Sequence, residues 1–186
     1  MAELQDALYA ENTRGIVVVL QAMDAAGNDG LIKHVFTALN PQGVTVTPFK
    51  VPNAEELDHD YLWRIARALP RRGEIAIFNR SHYEDVLVTR VHDLLKESPL
   101  PEELVDDNIW NRRFKEIRAF ESYLNDNGFT VVKIFLHLSK DEQKERLMER
   151  IIRPEKHWKF GQLEKNIVIR VKKGGRAGRL FLCLFR

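Results

Sequence analysis

A chain of 186 residues is long enough for one domain with a sizeable core and too short for two full ones. Its 44% hydrophobic and 30% charged residues fit a soluble globular protein, and a net charge of +2 makes no electrostatic case for a nucleic-acid partner. The single cysteine, Cys183, excludes an internal disulfide and fits a reducing cytoplasm, while no run approaches the length of a membrane span.

Residues 1–14 carry Glu3, Asp6, Glu11 and Arg14, which reads as a polar helix or arm rather than a signal peptide. Ile16 to Leu20 is a continuous apolar run suited to a strand buried on both faces. Small residues and turn formers follow from Asp24 to Gly30. Leu31, Ile32, Val35, Phe36 and Leu39 then recur at helical spacing until Pro41 and Gly43 stop them. A buried strand, a tight turn and a helix together gather backbone N–H groups and the positive end of a helix dipole at one spot, which favours phosphate. The pattern G-x-x-x-x-G-K-[ST] lies over this turn imperfectly: its second glycine is Gly27, but Ala22, Asn28 and Asp29 stand at the first glycine, the lysine and the hydroxyl. On these residues alone a plain strand-to-helix connection is an equal reading.

Val44 to Lys50 alternates like a strand, with Pro48 marking an end or an edge. Asn53 with Glu56 forms a capping-box pattern, and Leu57, Tyr61, Leu62, Ile65 and Leu69 predict one helix that Pro70 and Gly73 stop. Glu74 to Phe78 is a second short apolar run, ending in the polar cluster Asn79-Arg80-Ser81-His82-Tyr83-Glu84-Asp85. Polar groups at the carboxyl end of a buried parallel strand sit where open α/β sheets bind ligands, although helix capping by Ser81 explains the same cluster. Pro101 to Leu124 reads as a long helix with Leu104, Ile109, Phe114, Ile117, Phe120 and Leu124 in the core. Its Arg112, Arg113, Lys115 and Arg118 alone read as a solvated face. Thr130 to Leu138 is a fourth strand, buried by composition, and Ser139 with Glu142 opens a helix from Lys140 to Ile152. Arg146 and Arg150 share a face of that helix; with Arg153, Lys156 and Lys159 they form either a basic surface over a site or an ordinary basic helix end.

Four of these stretches resemble the polyphosphate kinase 2 family. Gln21 to Gly30, with Ile32-Lys33-His34-Val35 after it, is similar to the family's phosphate loop, which reads D-A-A-G-K; Asn28 departs from it at the lysine. The FNRSHYEDV segment resembles the second signature, in the form of the branch that uses nucleoside mono- or diphosphates. RRFKEIRAFE resembles the helix whose arginine faces the phosphate chain, which adds weight to Arg118. R-x-x-R-P-E-K-H-W-K-F resembles the lid that closes over polyphosphate. After Phe160 the resemblance stops, and the remainder, without an acidic residue from Lys165 onward, reads as a divergent or truncated basic tail.

The resemblance implies a three-layer α/β/α P-loop kinase fold with a central parallel sheet and a helical basic lid. Residues 1–160 would form the kinase domain, with the lid over about 140–160, and residues 161–186 the tail. It implies phosphoryl transfer between inorganic polyphosphate and AMP or ADP, giving ADP or ATP, with Mg²⁺ as cofactor, in the cytoplasm and with a homo-oligomer compatible. Ala25, Ala26, Gly27, Asp29 and Gly30 would cradle phosphate with Arg118, Arg146, Arg150, Lys156 and Lys159. Asp24, Asn28 and Arg80 would act at the reacting groups, with Asp24, and Asn79 through water, on the metal. No nucleic acid and no membrane enters this reading. Two other readings stand beside it: a non-catalytic P-loop domain that binds polyanions, favoured by Asn28, and an ATP-dependent nucleoside-monophosphate kinase.

Overall fold

The computed structural model describes residues 1–97 and 99–155. The chain divides into two compact units, residues 1–137 and residues 138–186. In the first, four parallel strands form one sheet in the order β2-β3-β1-β4, with β1 Gly15–Ala22, β2 Val44–Pro48, β3 Ile75–Asn79 and β4 Phe129–Leu136. Around it lie α1 Ala2–Glu11, α2 Asn28–Val35, α3 Ala54–Leu57, α4 Trp63–Arg67, α5 Glu84–Val91 and α6 Ile109–Asp126. The described part of the second unit is built on α7 Lys140–Ile152.

The central strands carry the core. Val18 and Leu20 of β1 and Ile75 and Ile77 of β3 are buried on one face with Leu39, against Leu8, Leu31, Ile32 and Phe36. Successive strand residues point to opposite faces, so Val17 and Val19 with Ala76 and Phe78 line the other face, where they are equally buried. Phe49 packs edge-on against Phe78 there, with ring centroids 5.0 Å apart. The connections leaving β1 and β3 run to opposite edges of the sheet. A crevice opens at such a switch point, beyond the carboxyl ends of the two strands.

The expected strands form where apolar runs predict them, and α7 spans the expected residues. The helical stretches differ more. The single helix expected over 53–69 is two, α3 and α4, because Asp60 turns the chain: its Oδ1 accepts the Leu62 N–H (2.9 Å) and its carbonyl accepts the Trp63 N–H (3.0 Å). The Asn53–Glu56 capping box is present with both of its bonds. The long helix expected from Pro101 begins only at Ile109. Before it, Asp106 accepts the Asn108 N–H and pairs with Arg112, which holds a turn in place of helix, and Leu104 is exposed rather than core. Helix α2 ends at Val35, short of Leu39. Strand β4 is less buried than its composition implies, with Val132 40% exposed on what is, among the described residues, an edge of the sheet.

Candidate active site

Strand β1 delivers the chain into the turn Met23–Gly27, and α2 starts at Asn28. Two residues of the turn take the left-handed backbone conformation, Ala25 (φ 63°) and Gly27 (φ 93°). Gly27 tolerates that geometry without penalty because it has no Cβ. Ala25 is held in it by local bonds: the Asp24 carboxylate accepts the Ala25 N–H at 2.7 Å and the Met23 carbonyl accepts the Ala26 N–H at 3.0 Å. The methyl groups of Ala25 and Ala26 are buried, and a Cβ added at Gly30 would meet nothing within 4 Å, so the far lip of the turn is open. The first amides of an α-helix stand outside its regular hydrogen-bond ladder, and those of α2 begin at this turn. Asp24, Ala25, Ala26, Gly27, Asn28, Asp29 and Gly30 are therefore gathered on one turn at the carboxyl end of a buried strand.

Asn79 and Arg80 stand beside it. The Asn79 amide donates to Asp29 Oδ1 at 2.9 Å, tying the end of β3 to the first turn of α2. Arg80 is also left-handed (φ 68°), its N–H donates to the Leu20 carbonyl at 3.0 Å, and its side chain is 59% exposed. Asn28 is the exception within the turn. Its Oδ1 is buried and has no hydrogen-bond partner among the described residues. Such a group costs free energy until something donates to it or coordinates it.

Three further polar groups were not singled out from the sequence as site residues. Gln21, buried at the end of β1, donates to Glu84 and accepts from the fully buried Ser81 hydroxyl at 3.2 Å. Burial raises the Glu84 carboxyl above its ordinary range, against the opposing pull of Arg80 and the Gln21 bond. Arg64, only 7% exposed, donates to the Lys50 carbonyl (2.8 Å) and pairs with Asp85 (3.4 Å) and Glu56 (3.7 Å), bracing the segment after β2 against α3 and α5. Glu121 of α6, also buried, accepts from Lys133 (2.7 Å) and Tyr83 (2.9 Å) and lies 3.4 Å from His82 Nε2. Burial and the neighbouring Glu121 push the Tyr83 phenol up to about 12. A polar residue closing an apolar strand, as Gln21 does, was the available signal.

Arg118 is exposed on α6; the buried arginine of that helix is Arg113, which donates to the Asp85 carbonyl at 2.6 Å and lies over the Tyr61 ring. In the second unit Ser139 caps α7 by accepting the Glu142 N–H (3.2 Å), and Arg146 pairs with Glu142 (2.7 Å) on the helix that also carries Arg150. Lys156, Lys159 and the tail from 161 lie outside the described residues.

The sequence pattern of the polyphosphate kinase 2 family matches residues 1–171. The chain belongs to the polyphosphate kinase 2 family. Among its relatives are an ADP-polyphosphate phosphotransferase of Rhodopseudomonas palustris, 51% identical over 86% of the chain, and an AMP/ADP-polyphosphate phosphotransferase of Meiothermus ruber, 52% identical over 88%. The chain spans 56% and 58% of the length of these two relatives. The crystal structure of polyphosphate kinase 2 from Arthrobacter aurescens superposes with a TM-score of 0.79 at 42% identity, covering 93% of this chain and 58% of that one. Family membership gives the α/β fold, with its all-parallel sheet and surrounding helices, the P-loop kinase architecture expected from the sequence.

Proposed function

We propose that this chain transfers a phosphoryl group between inorganic polyphosphate and a nucleoside mono- or diphosphate. The observation that carries the reading is the open strand-to-helix turn at Asp24–Gly30, left-handed at Ala25 and Gly27 and with Arg80 beside it, in a chain whose relatives are polyphosphate phosphotransferases. In the transfer the terminal P–O–P bond of polyphosphate breaks and a new bond forms to a terminal phosphate oxygen of AMP or ADP. Such a step asks the protein for alignment and charge neutralisation more than for covalent work. The first-turn amides of α2 hold phosphate oxygens, and Arg80 pairs with them in a two-pronged manner. Asp24 orients the acceptor phosphate. Arg118 pairs with further phosphate oxygens, and Arg146, Arg150, Lys156 and Lys159 supply cations of the kind that bind polyphosphate.

The residues fit a magnesium ion. No cluster of three His, Cys, Asp or Glu side chains forms a cage among the described residues. The oxygen donors at the two strand ends, the Asp24 carboxylate and the Asn79 amide acting through water, suit a hard cation that takes most of its ligands from substrate phosphates and water. Bound there, Mg²⁺ neutralises charge on the phosphate oxygens.

The test is ATP formed from ADP and polyphosphate with Mg²⁺ by the purified chain. Slow but polyphosphate-dependent ATP formation is expected. Asn28 favours a second reading, a domain that binds polyanions without transferring from them; binding of polyphosphate with no ATP formed would select it. ATP consumed with AMP, in the absence of polyphosphate, would instead mark a nucleoside-monophosphate kinase.

A further inference from the structure

Gln21 is a costly residue for its position. It sits 3% exposed directly after the run Ile16 to Leu20 of isoleucine, valine and leucine, where an apolar side chain would pack without desolvating an amide. Both ends of that amide are used. The Ser81 hydroxyl, itself fully buried, accepts the Tyr83 N–H at 3.2 Å and donates to Gln21 Oε1 at 3.2 Å. This orients the amide so that its NH₂ donates to Glu84 Oε1. The other Glu84 oxygen lies 3.6 Å from the Arg80 guanidinium, longer than a hydrogen bond. Glu84 is 17% exposed and Arg80 59%, so the carboxylate is anchored inside while the arginine reaches outward.

We infer that Gln21 is a positioning residue for Arg80: by holding the Glu84 carboxylate from behind, it keeps Glu84 from closing a two-pronged pair with Arg80 and leaves the guanidinium available to phosphate. This rests on the reading that Arg80 binds phosphate. Glu84 and Arg80 already lie 3.6 Å apart, close enough for a full ion pair once the carboxylate is free to swing. That pair would compete directly with a phosphate for the same guanidinium edge.

Isothermal titration calorimetry with inorganic tripolyphosphate separates the possibilities. Gln21→Met, a near-isostere without hydrogen bonds, is expected to bind about fivefold more weakly than wild type, the scale of one partly exposed ion pair. Adding Glu84→Gln to Gln21→Met removes the competing charge and should restore binding to within about twofold of wild type. A purely structural role for Gln21 predicts instead that the loss persists in the double variant, and that result, or wild-type affinity in Gln21→Met, overturns the inference. Arg80→Ala tests the reading underneath. If it weakens binding while Gln21→Met does not, phosphate binding by Arg80 stands and the positioning role falls; if Arg80→Ala binds as wild type, both fall. Should Gln21→Met fail to fold, Ser81→Ala removes the bond that orients the amide. The same weakening, reversed by Glu84→Gln, is expected, and its absence overturns the inference equally.

Discussion

Replacing Asn28 by lysine is expected to raise polyphosphate-dependent ATP formation by roughly 10²–10³-fold, the range associated with gaining or losing one preorganised donor to a charged transition state. Asn28 opens α2 beside the left-handed Gly27, where a long cationic side chain would extend over the phosphate held by the turn. An asparagine there is neutral and too short to set an ammonium against the transferring group, and its buried Oδ1 is an acceptor that has no hydrogen-bond partner among the described residues. Lys33 is no substitute, because it lies in the last turn of the same helix, away from the amides at its start. The gain should fall mainly in kcat, since in the proposed function the backbone and Arg80 hold the ground-state phosphate without the lysine. Turnover by wild type equal to that of Asn28→Lys would show that the position does not matter to the chemistry.

Glu121→Ala is expected to destabilise the fold by about 3 kcal/mol, at the low end for breaking a buried ion pair because Lys133 is 40% exposed and can turn to water. For a domain of this size that lowers Tm by about 6–12 °C. Tyr83 and His82 would lose their partner at the start of α5, next to Ser81, so the site should loosen with the fold. The pH dependence has a definite sign. Burial raises the Glu121 carboxyl, but the bonds from His82, Lys133 and Tyr83 outweigh it, and the net shift is downward from the ordinary 4.5. A carboxylate with a lowered folded-state pKa contributes its full stability above the unfolded value and loses it as pH falls through the folded one. Glu84 and Asp85, both raised by burial, titrate in the opposite sense, so the difference between wild type and Glu121→Gln isolates Glu121. That difference, read from denaturant melts, should be constant near neutrality and shrink below about pH 4. A difference that grows on acidification would contradict the assignment.

The strands were readable because short, continuous β-branched runs suit the interior of a sheet. The turn at Asp24–Gly30 was readable because small residues and glycine stood between such a run and a helical stripe. Helix boundaries were not, since a side chain can end a helix that periodicity continues: Asp60 and Asp106 bond to nearby backbone and cut short two regular apolar stripes. Helix α6 shows a different limit. Ile109, Arg113, Ile117, Glu121 and Leu124 are the buried residues of α6 and follow one face of the helix, so two charged residues occupy core positions. Their places in that register were visible, but their partners, the Asp85 carbonyl and Lys133, come from elements 28 residues before and 12 after, and only the tertiary fold joins them. The Gln21–Ser81–Glu84 relay was hidden for the same reason, because it spans two strand ends that meet through sheet order.

In the proposed function, the turn between β1 and α2 grips condensed phosphate through its backbone. Titrating the ¹⁵N-labelled chain with inorganic tripolyphosphate and following amide resonances tests it most directly. The amides of Gly27, Asn28, Asp29 and Gly30 should show the largest saturable shifts, with a common dissociation constant and together with the Arg80 side-chain resonance. Shifts confined to other basic surfaces, with those four amides unmoved at saturation, would contradict it.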